Sequence, residues 1–113
     1  MEIRFTSRKL AKLCSDDKAA AREWGLPNAR KLAVRLAQLR ACESLADMGV
    51  WPDARCHPLK GNRRGEFAVN LQGTWRLVFT PDDDPPALRA AGGLDPSQVR
   101  TVRILDVVDY HGD

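Results

Sequence analysis

The alternation of apolar and polar positions in the first half of the chain predicts one strand followed by helices. "EIRF" at 2–5 is short and alternating, which is typical of a β-strand. Hydroxyl and carboxylate caps then predict one short helix over 6–13 and another over 15–24, and Gly25 ends the second.

A longer amphipathic helix is predicted to follow, with Pro27 in its first turn, and to fray near Ser44 and end by Gly49. Its apolar residues recur at steps of three and four, as on the buried side of a surface helix: Ala29, Leu32, Ala33, Leu36, Leu39 and Leu45. Its basic residues fall largely off that stripe and predict a solvated face, or a rim for an anionic partner: Arg30, Lys31, Arg35 and Arg40.

The second half of the chain is predicted to be β-sheet. "EFAVNL" at 66–71 and "TWRLVF" at 74–79 each place alternate apolar residues on one face, and a tight turn at 72–73 joins them as a hairpin. "VRTVRILDVVDY" at 99–110 is apolar on both faces for much of its length, which indicates a central strand. Residues 81–98 contain four prolines, two adjacent glycines and four aspartates, which predicts an irregular loop with at most a helical turn.

These elements predict a single α+β domain over residues 1–113. With two principal helices, the expected order is β–α–α–β–β–β around a small, mainly antiparallel sheet. Each helix has one apolar stripe to bury, so both are expected on the same face of the sheet. The opposite face and the loops at its margin are then left to carry chemistry.

Composition narrows the class of protein. Of the 113 residues, 43% are hydrophobic and 29% are charged, which is ordinary for a globular protein. The chain shows neither a membrane-spanning run nor the apolar core of a signal peptide, so we expect a cytoplasmic protein with no membrane partner. Cys14, Cys42 and Cys56 lack paired spacing and are expected to be reduced, mostly buried thiols.

Positive charge is concentrated in one part of the chain. The net charge is +3, and residues 55–80 carry five basic residues against Glu66 alone. Such concentration indicates a phosphate-rich partner or an acidic protein surface.

The residue types near that charge suit metal-independent cleavage of RNA. Attack by the 2′-hydroxyl needs a base, an acid and fixed cations. His57 and His111 can exchange protons near neutral pH. Asp109 can fix an imidazole tautomer, and Tyr110 can stack a base or donate a hydrogen bond. The cations that can meet the phosphate are Lys60, Arg63, Arg64 and Arg76.

Each of these residues also has an ordinary structural explanation. A histidine before a proline commonly hydrogen-bonds its own backbone, and Tyr110 could simply pack on the core. Arg76 could pair with Glu66 or Asp106 across the sheet. Two histidines and unpaired cysteines predict neither a metal site nor a cofactor.

Three stretches together resemble a known family: "HPLKGNRRGEF" at 57–67, "TWRLVF" at 74–79 and "VVDYH" at 107–111. In this order and approximate spacing they resemble the HigB (killer protein) branch of the RelE/ParE superfamily of type II toxin–antitoxin toxins. The motif-bearing similarity covers residues 55–111. The N-terminal half agrees in element order and in "EIRF" followed by a basic helix.

The resemblance implies a RelE-like fold and an endoribonuclease that cleaves messenger RNA on the translating ribosome. It also implies silencing by a cognate helix-turn-helix antitoxin, similar to HigA. Carried over by position, His57 and Lys60 belong to the catalytic loop and Arg76 to phosphate stabilisation, with Asp109, Tyr110 and His111 at the catalytic end. Which residue is base and which is acid stays open. Basic flanks that would grip RNA are Arg35, Arg55, Arg63 and Arg64.

The sequence also departs from that family, and an alternative stays open. The 81–98 loop is long for the family, and the N-terminus is nearer a variant known as killer suppression protein. The alternative is a non-catalytic binder on the same fold, such as a ParE-like inhibitor of DNA gyrase, although histidines at both ends of the site speak against it. A plain RNA-binding module would need exposed aromatic pairs that stack successive bases.

Overall fold

The computed structural model describes residues 1–111, in which three α-helices pack on a five-stranded sheet. The helices are α1 (Arg8–Ser15), α2 (Asp17–Trp24) and α3 (Leu26–Ala41). The strands are β1 (Glu2–Phe5), β2 (His57–Pro58), β3 (Phe67–Asn70), β4 (Trp75–Pro81) and β5 (Thr101–Asp109). They lie in the order β1-β5-β4-β3-β2, and neighbours are antiparallel except β1 with β5.

This arrangement confirms the predicted α+β class and the mainly antiparallel sheet. The predicted order β–α–α–β–β–β contains too few elements. Local caps separate three helices instead of two, and the two-residue β2 adds an edge strand. Ser7 accepts a hydrogen bond from the backbone N–H of Leu10, and Asp16 accepts from Lys18 and Ala19, so α1 and α2 start independently. Gly25, with φ at 88°, then lets the chain turn directly into α3. No helix within residues 1–111 has the length and apolarity needed to span a bilayer.

The main core lies between the helices and one face of the sheet, here called the helix-covered face. Leu32, Leu36 and Leu39 on α3 are almost fully buried, as the apolar stripe predicts, whereas Ala33 is exposed. Helix α3 ends at Ala41, and the buried Leu45 belongs to a separate 3₁₀ turn. The sheet contributes alternate residues of three strands to this core: Val69, Leu71, Leu77, Phe79, Val102, Ile104 and Val107.

The structure contradicts the prediction that Arg35 is solvated and binds RNA. Its side chain is only 2% exposed, because it lies on the sheet-facing side of α3. The Nε donates to the Asn70 carbonyl at 2.7 Å, and Nη1 and Nη2 reach the Asp53 carboxylate and carbonyl at 3.4 and 3.3 Å. Arg35 therefore joins α3 to β3 and to the segment before β2, and cannot meet RNA. The other α3 cations are exposed, as predicted: Arg30, Lys31 and Arg40.

A β-bulge in β5 sets which side chains reach each face. Phe79 is paired with Ile104, but the next residue back, Val78, is paired with Asp106, so Leu105 is extra in this strand. Without that extra residue, alternation from Ile104 would direct the Asp106 carboxylate into the helix-covered core. The bulge instead buries Val107 there and turns Asp106 to the opposite face, here called the open face.

The open face, which the sequence pattern left to carry chemistry, also has a small core of its own. Leu59, Ala68 and Val78 are buried there, and three residues of the β5 end pack against them: Leu105, Val108 and Tyr110. Leu59 comes from the chain that follows β2. The segment rich in basic residues therefore covers part of this face.

Residues 81–98 form a loop that is irregular but internally bonded. A bridge pairs Leu88 with Leu94, which replaces the helical turn that the sequence allowed near Leu88. Asp82 accepts from Arg103 at 2.7 Å, and Asp83 accepts from the backbone N–H of Arg100. The acidic start of the loop is thus tied to the beginning of β5.

Candidate functional site

The chain from Leu59 to Glu66, here called the basic loop, is closed by its own backbone hydrogen bonds. The Leu59 N–H donates to the Glu66 carbonyl at 2.8 Å, and the Thr80 hydroxyl of β4 donates to the Gly65 carbonyl at 2.9 Å. A 3₁₀ turn over Gly61–Arg63 lies between these ends. The loop is therefore held against the sheet at both of its ends.

Arg63 fastens the middle of the basic loop to the open face. Its guanidinium lies 2.7 Å from the Glu66 carboxylate and 3.5 Å from that of Asp106. It also lies 5.7 Å from the centroid of the Tyr110 ring, within the range of a cation–π contact. The hydrogen bond to Glu66 raises the pKa of Arg63 above its ordinary value, so the group stays cationic.

These contacts change two expectations. Glu66 and Asp106 were considered as partners of Arg76, but both pair with Arg63. Arg63 was expected to grip RNA, but two carboxylates occupy its guanidinium. Its charge therefore holds the protein together at this point.

Arg76 and Tyr110 lie side by side at the C-terminal end of β5. Arg76 is buried and opposes Val108, and Tyr110 lies two residues beyond Val108. Such diagonal neighbours on adjacent strands are about 7–8 Å apart at Cα, within reach of long side chains. Arg76 Nη1 donates to the Gly73 and Trp75 carbonyls at 2.8 and 2.9 Å, which directs the guanidinium toward this end of the sheet.

His57 lies on the open face three strands from β5. It opposes Ala68, which opposes Val78, which in turn opposes Asp106. At the usual strand spacing, this row spans about 14 Å. The His57 Nδ1 lies 2.7 Å from the Arg55 carbonyl, and only an Nδ1–H can donate to that oxygen. The other ring nitrogen, Nε2, is buried.

Asp109 and His111 form a pair at the end of the sheet. His111 Nε2 lies 3.2 Å from Asp109 Oδ1, and the Thr74 hydroxyl donates to the same carboxylate. Asp109 opposes Trp75, whose side chain packs on the main core, so this carboxylate starts on the helix-covered side. Strand alternation therefore separates Asp109 from Tyr110, although the sequence grouped them as one catalytic end.

The remaining predicted cations surround the open face. Lys60, Arg64 and Arg55 are exposed. Arg55 has the left-handed backbone φ of 46°, which is uncommon for a residue other than glycine and presents its carbonyl to His57. Arg64 lines a groove of about 420 Å³ between the basic loop and the 81–98 loop.

Sequence reasoning missed three residues that organise this site. Leu59 is an apolar residue inside a polar stretch, a signal that could have marked it as an anchor. Asp106 interrupts an apolar run in β5, which could have indicated the bulge. Thr74 carried no such signal, and only the fold brings its hydroxyl to Asp109.

The other titratable groups near the site are less suited to catalysis. Burial raises the pKa of the Cys56 thiol to about 12, so it is a thiol and not a nucleophilic thiolate at neutral pH. Among residues 1–111, His, Cys, Asp and Glu side chains form no group of three that could hold a metal ion.

Comparison with solved structures identifies the fold. Over 98% of this chain and 100% of the other, the structure superposes with a TM-score of 0.54 on a YoeB/ParE toxin from Agrobacterium tumefaciens at 10% sequence identity. It also aligns with a chain of the RelBE2 toxin–antitoxin complex from Mycobacterium tuberculosis, with 23% identity, a TM-score of 0.45, and 94% and 93% of the two chains covered. No protein-family model matches the sequence, and no curated protein matches it. The fold is therefore that of the YoeB/ParE toxin.

Proposed function

We propose that this chain is the toxin of a type II toxin–antitoxin system, of the HigB type, and that it cleaves messenger RNA on the translating ribosome. The observation that carries the proposal is the position of Arg76 and Tyr110, which are diagonal neighbours at the same end of the open face. A fixed cation for a phosphate and a ring for a base lie there side by side. The shared fold with a YoeB/ParE toxin supports the same reading.

The proposed reaction is an intramolecular transesterification of the RNA backbone. The 2′-oxygen attacks the phosphorus and gives up its proton, while the 5′-oxygen leaves and gains one. A base must take the first proton and an acid must supply the second. His57 is one candidate, but its Nδ1 is bonded to the Arg55 carbonyl and its Nε2 is buried, so the ring must turn outward to act. His111 is the other candidate, because it is exposed at the end of the sheet, where Asp109 holds its Nε2.

Charge stabilisation completes the proposed mechanism. Negative charge that develops on the phosphoryl oxygens is met by Arg76 and Lys60, and Tyr110 stacks a neighbouring base. His57 and Tyr110 are on strands about 14 Å apart, so the RNA must lie across the open face to meet both. The ribosome would hold the messenger in that position, which supplies the orientation that the side chains alone lack.

The partners follow from the same proposal. The toxin acts in the cytoplasm, where Arg55 and Arg64 contact RNA phosphates at the margin of the open face. A helix-turn-helix antitoxin of the HigA type silences it. If the neighbouring reading frame encodes a small helix-turn-helix protein, we expect its co-expression to restore growth, and we expect that protein to co-purify with the chain.

Induction in bacterial cells tests the activity. We expect growth arrest and new messenger RNA 5′ ends in primer extension. Lys60→Ala and His111→Ala should lower cleavage about a hundredfold or more, since each removes a cation or proton donor used in the transition state. Lys18→Ala, which removes an exposed lysine on α2, is the matched control. Full toxicity of the Lys60 and His111 variants would contradict the assigned site.

A second candidate function is a non-catalytic binder, such as an inhibitor of DNA gyrase. The solved structure with the same fold is named YoeB/ParE, and the ParE half of that name favours this second candidate. A DNA damage response with intact messenger RNA after induction would favour it over the nuclease.

A further inference from the structure

We propose that Leu59 and the Arg63–Asp106 ion pair are positioning residues, which hold the basic loop on the open face and so fix Lys60 beside the reacting phosphate. This inference deepens the proposed nuclease function and rests on it. In this inference Arg63 stabilises the basic loop and does not bind RNA. Asp106 and Leu59 affect the cleavage rate through the position of that loop.

The apolar half of this anchor is Leu59. It is 5% exposed and packs in the small core of the open face with Ala68 and Val78. His57 lies two residues before it, and Lys60 follows it directly. Because a buried leucine allows little movement of its own backbone, the neighbouring functional residues are fixed with it.

The ionic half of the anchor depends on the bulge in β5. The extra residue Leu105 turns Asp106 to the open face, where its carboxylate lies 3.5 Å from Arg63. Arg63 also binds Glu66 within the loop, so it links the loop's own end to the central strand of the sheet. The same guanidinium covers the ring of Tyr110 and so fixes a residue of the proposed site.

The exposed residues of the basic loop are the ones that can contact RNA. Lys60, Asn62 and Arg64 are exposed, whereas Leu59 and Arg63 point toward the sheet. Hydrogen bonds from Arg63 N–H to Lys60 and from Arg64 N–H to Gly61 hold this division. The loop thus separates anchors from cations that can meet a polyanion.

Asp106→Asn separates this inference from a direct role of Arg63 in RNA binding. The substitution adds one unit of positive net charge, so an RNA-binding Arg63 would cut ribosome-bound messenger RNA equally well or faster. Loss of the anchor is instead expected to lower the cleavage rate at saturating ribosomes about tenfold or more, with little change in the half-saturating concentration. Asp106→Glu keeps the carboxylate and should restore most of the rate, and Asp17→Asn on α2 is the control for charge.

Leu59→Ala tests the apolar half in the same purified assay. We expect a loss of rate at least as large as that of Asp106→Asn, and recovery with Leu59→Met, which keeps the volume of the side chain. Leu88→Ala removes an exposed leucine of the 81–98 loop and should cleave like the wild type.

Amide hydrogen exchange measures the anchor without reference to activity. Asp106→Asn should speed exchange of the Arg63, Arg64 and Glu66 amides at least tenfold relative to β4 amides. Unchanged exchange in this variant and in Leu59→Ala would overturn the anchor. Faster exchange with wild-type cleavage would overturn its role in positioning. Failure of the wild type to cleave messenger RNA would instead refute the proposed function.

Discussion

The two faces of the sheet bury apolar side chains in different ways. The helix-covered face is sealed by α3, whose leucines pack against alternate residues of β3, β4 and β5. Within residues 1–111, the open face is covered by the basic loop, through the small core around Leu59 and the ion pairs of Arg63. One face thus uses regular secondary structure to exclude water, and the other uses a short irregular segment.

This difference separates stability from function. A core under a helix can be built from repeated leucines. A loop over a sheet needs only a few anchors, and its remaining side chains stay exposed to meet a partner. Substitutions on the helix-covered face should therefore act on folding, and those on the open face mainly on activity.

The same substitution on each face gives the largest expected contrast. Leu39→Ala removes a fully buried α3 side chain and should lower the free energy of unfolding by about 3–5 kcal/mol. Leu59→Ala should cost about 2 kcal/mol, because the loop above it can partly collapse into the space. Urea denaturation of both variants measures the difference, and an equal cost at the two positions would break the comparison.

Arg35 and Arg40 give a second contrast on one helix. Arg35→Ala leaves the buried Asn70 carbonyl without its donor and should destabilise the fold by about 2–3 kcal/mol. Arg40→Ala removes an exposed cation and should change stability by less than about 0.5 kcal/mol. Thermal unfolding of the two variants is the measurement. Equal melting temperatures would show that Arg35 does not join α3 to β3.

Cys56 lies at the edge of the helix-covered core, directly before His57. Ionisation of its thiol should change the free energy of unfolding by a smaller amount. Burial raises the pKa of this thiol from 9.0 to about 12. Its contribution to stability is complete below pH 9 and is lost as the pH rises toward 12, because only the unfolded chain releases the proton in that interval. At pH 10 the loss should be on the order of 1 kcal/mol.

Urea unfolding at pH 8 and pH 10 tests this expectation. The fall in stability between the two should be smaller in Cys56→Ala than in the wild type by that amount. An identical fall in both would mean that the Cys56 thiol ionises as readily in the folded protein as in the unfolded one.

Much of the helix-covered face was predictable because it follows periodic rules. Alternation in β3 and β4 and the three-and-four spacing of α3 place most of its core residues correctly. The same spacing places Arg35 with Leu32 and Leu39, but its charge suggested exposure. Its long side chain instead donates to carbonyls beneath α3. Caps in the sequence predicted two short helices before α3, and both form, although the expected element order counted only two principal helices in all.

The open face was predictable only in its residue types. Cations, His57 and Tyr110 were singled out from the sequence, but their pairing depends on a one-residue bulge in β5. That bulge decides that Tyr110 and not Asp109 starts on the open face, and that Asp106 lies where it can pair with Arg63. Long-range register of this kind is set by packing of the whole sheet and not by local pattern.

The most direct test of the central claim, that the open face carries the activity, compares two arginines in one assay. Purified Arg76→Ala and Arg30→Ala would be incubated with ribosomes translating a defined messenger, and cleavage would be quantified by primer extension. Both remove one positive charge, but only Arg76 lies beside Tyr110 on the open face. We expect cleavage by Arg76→Ala to fall about a hundredfold while Arg30→Ala cuts like the wild type. Wild-type cleavage by Arg76→Ala would contradict the account.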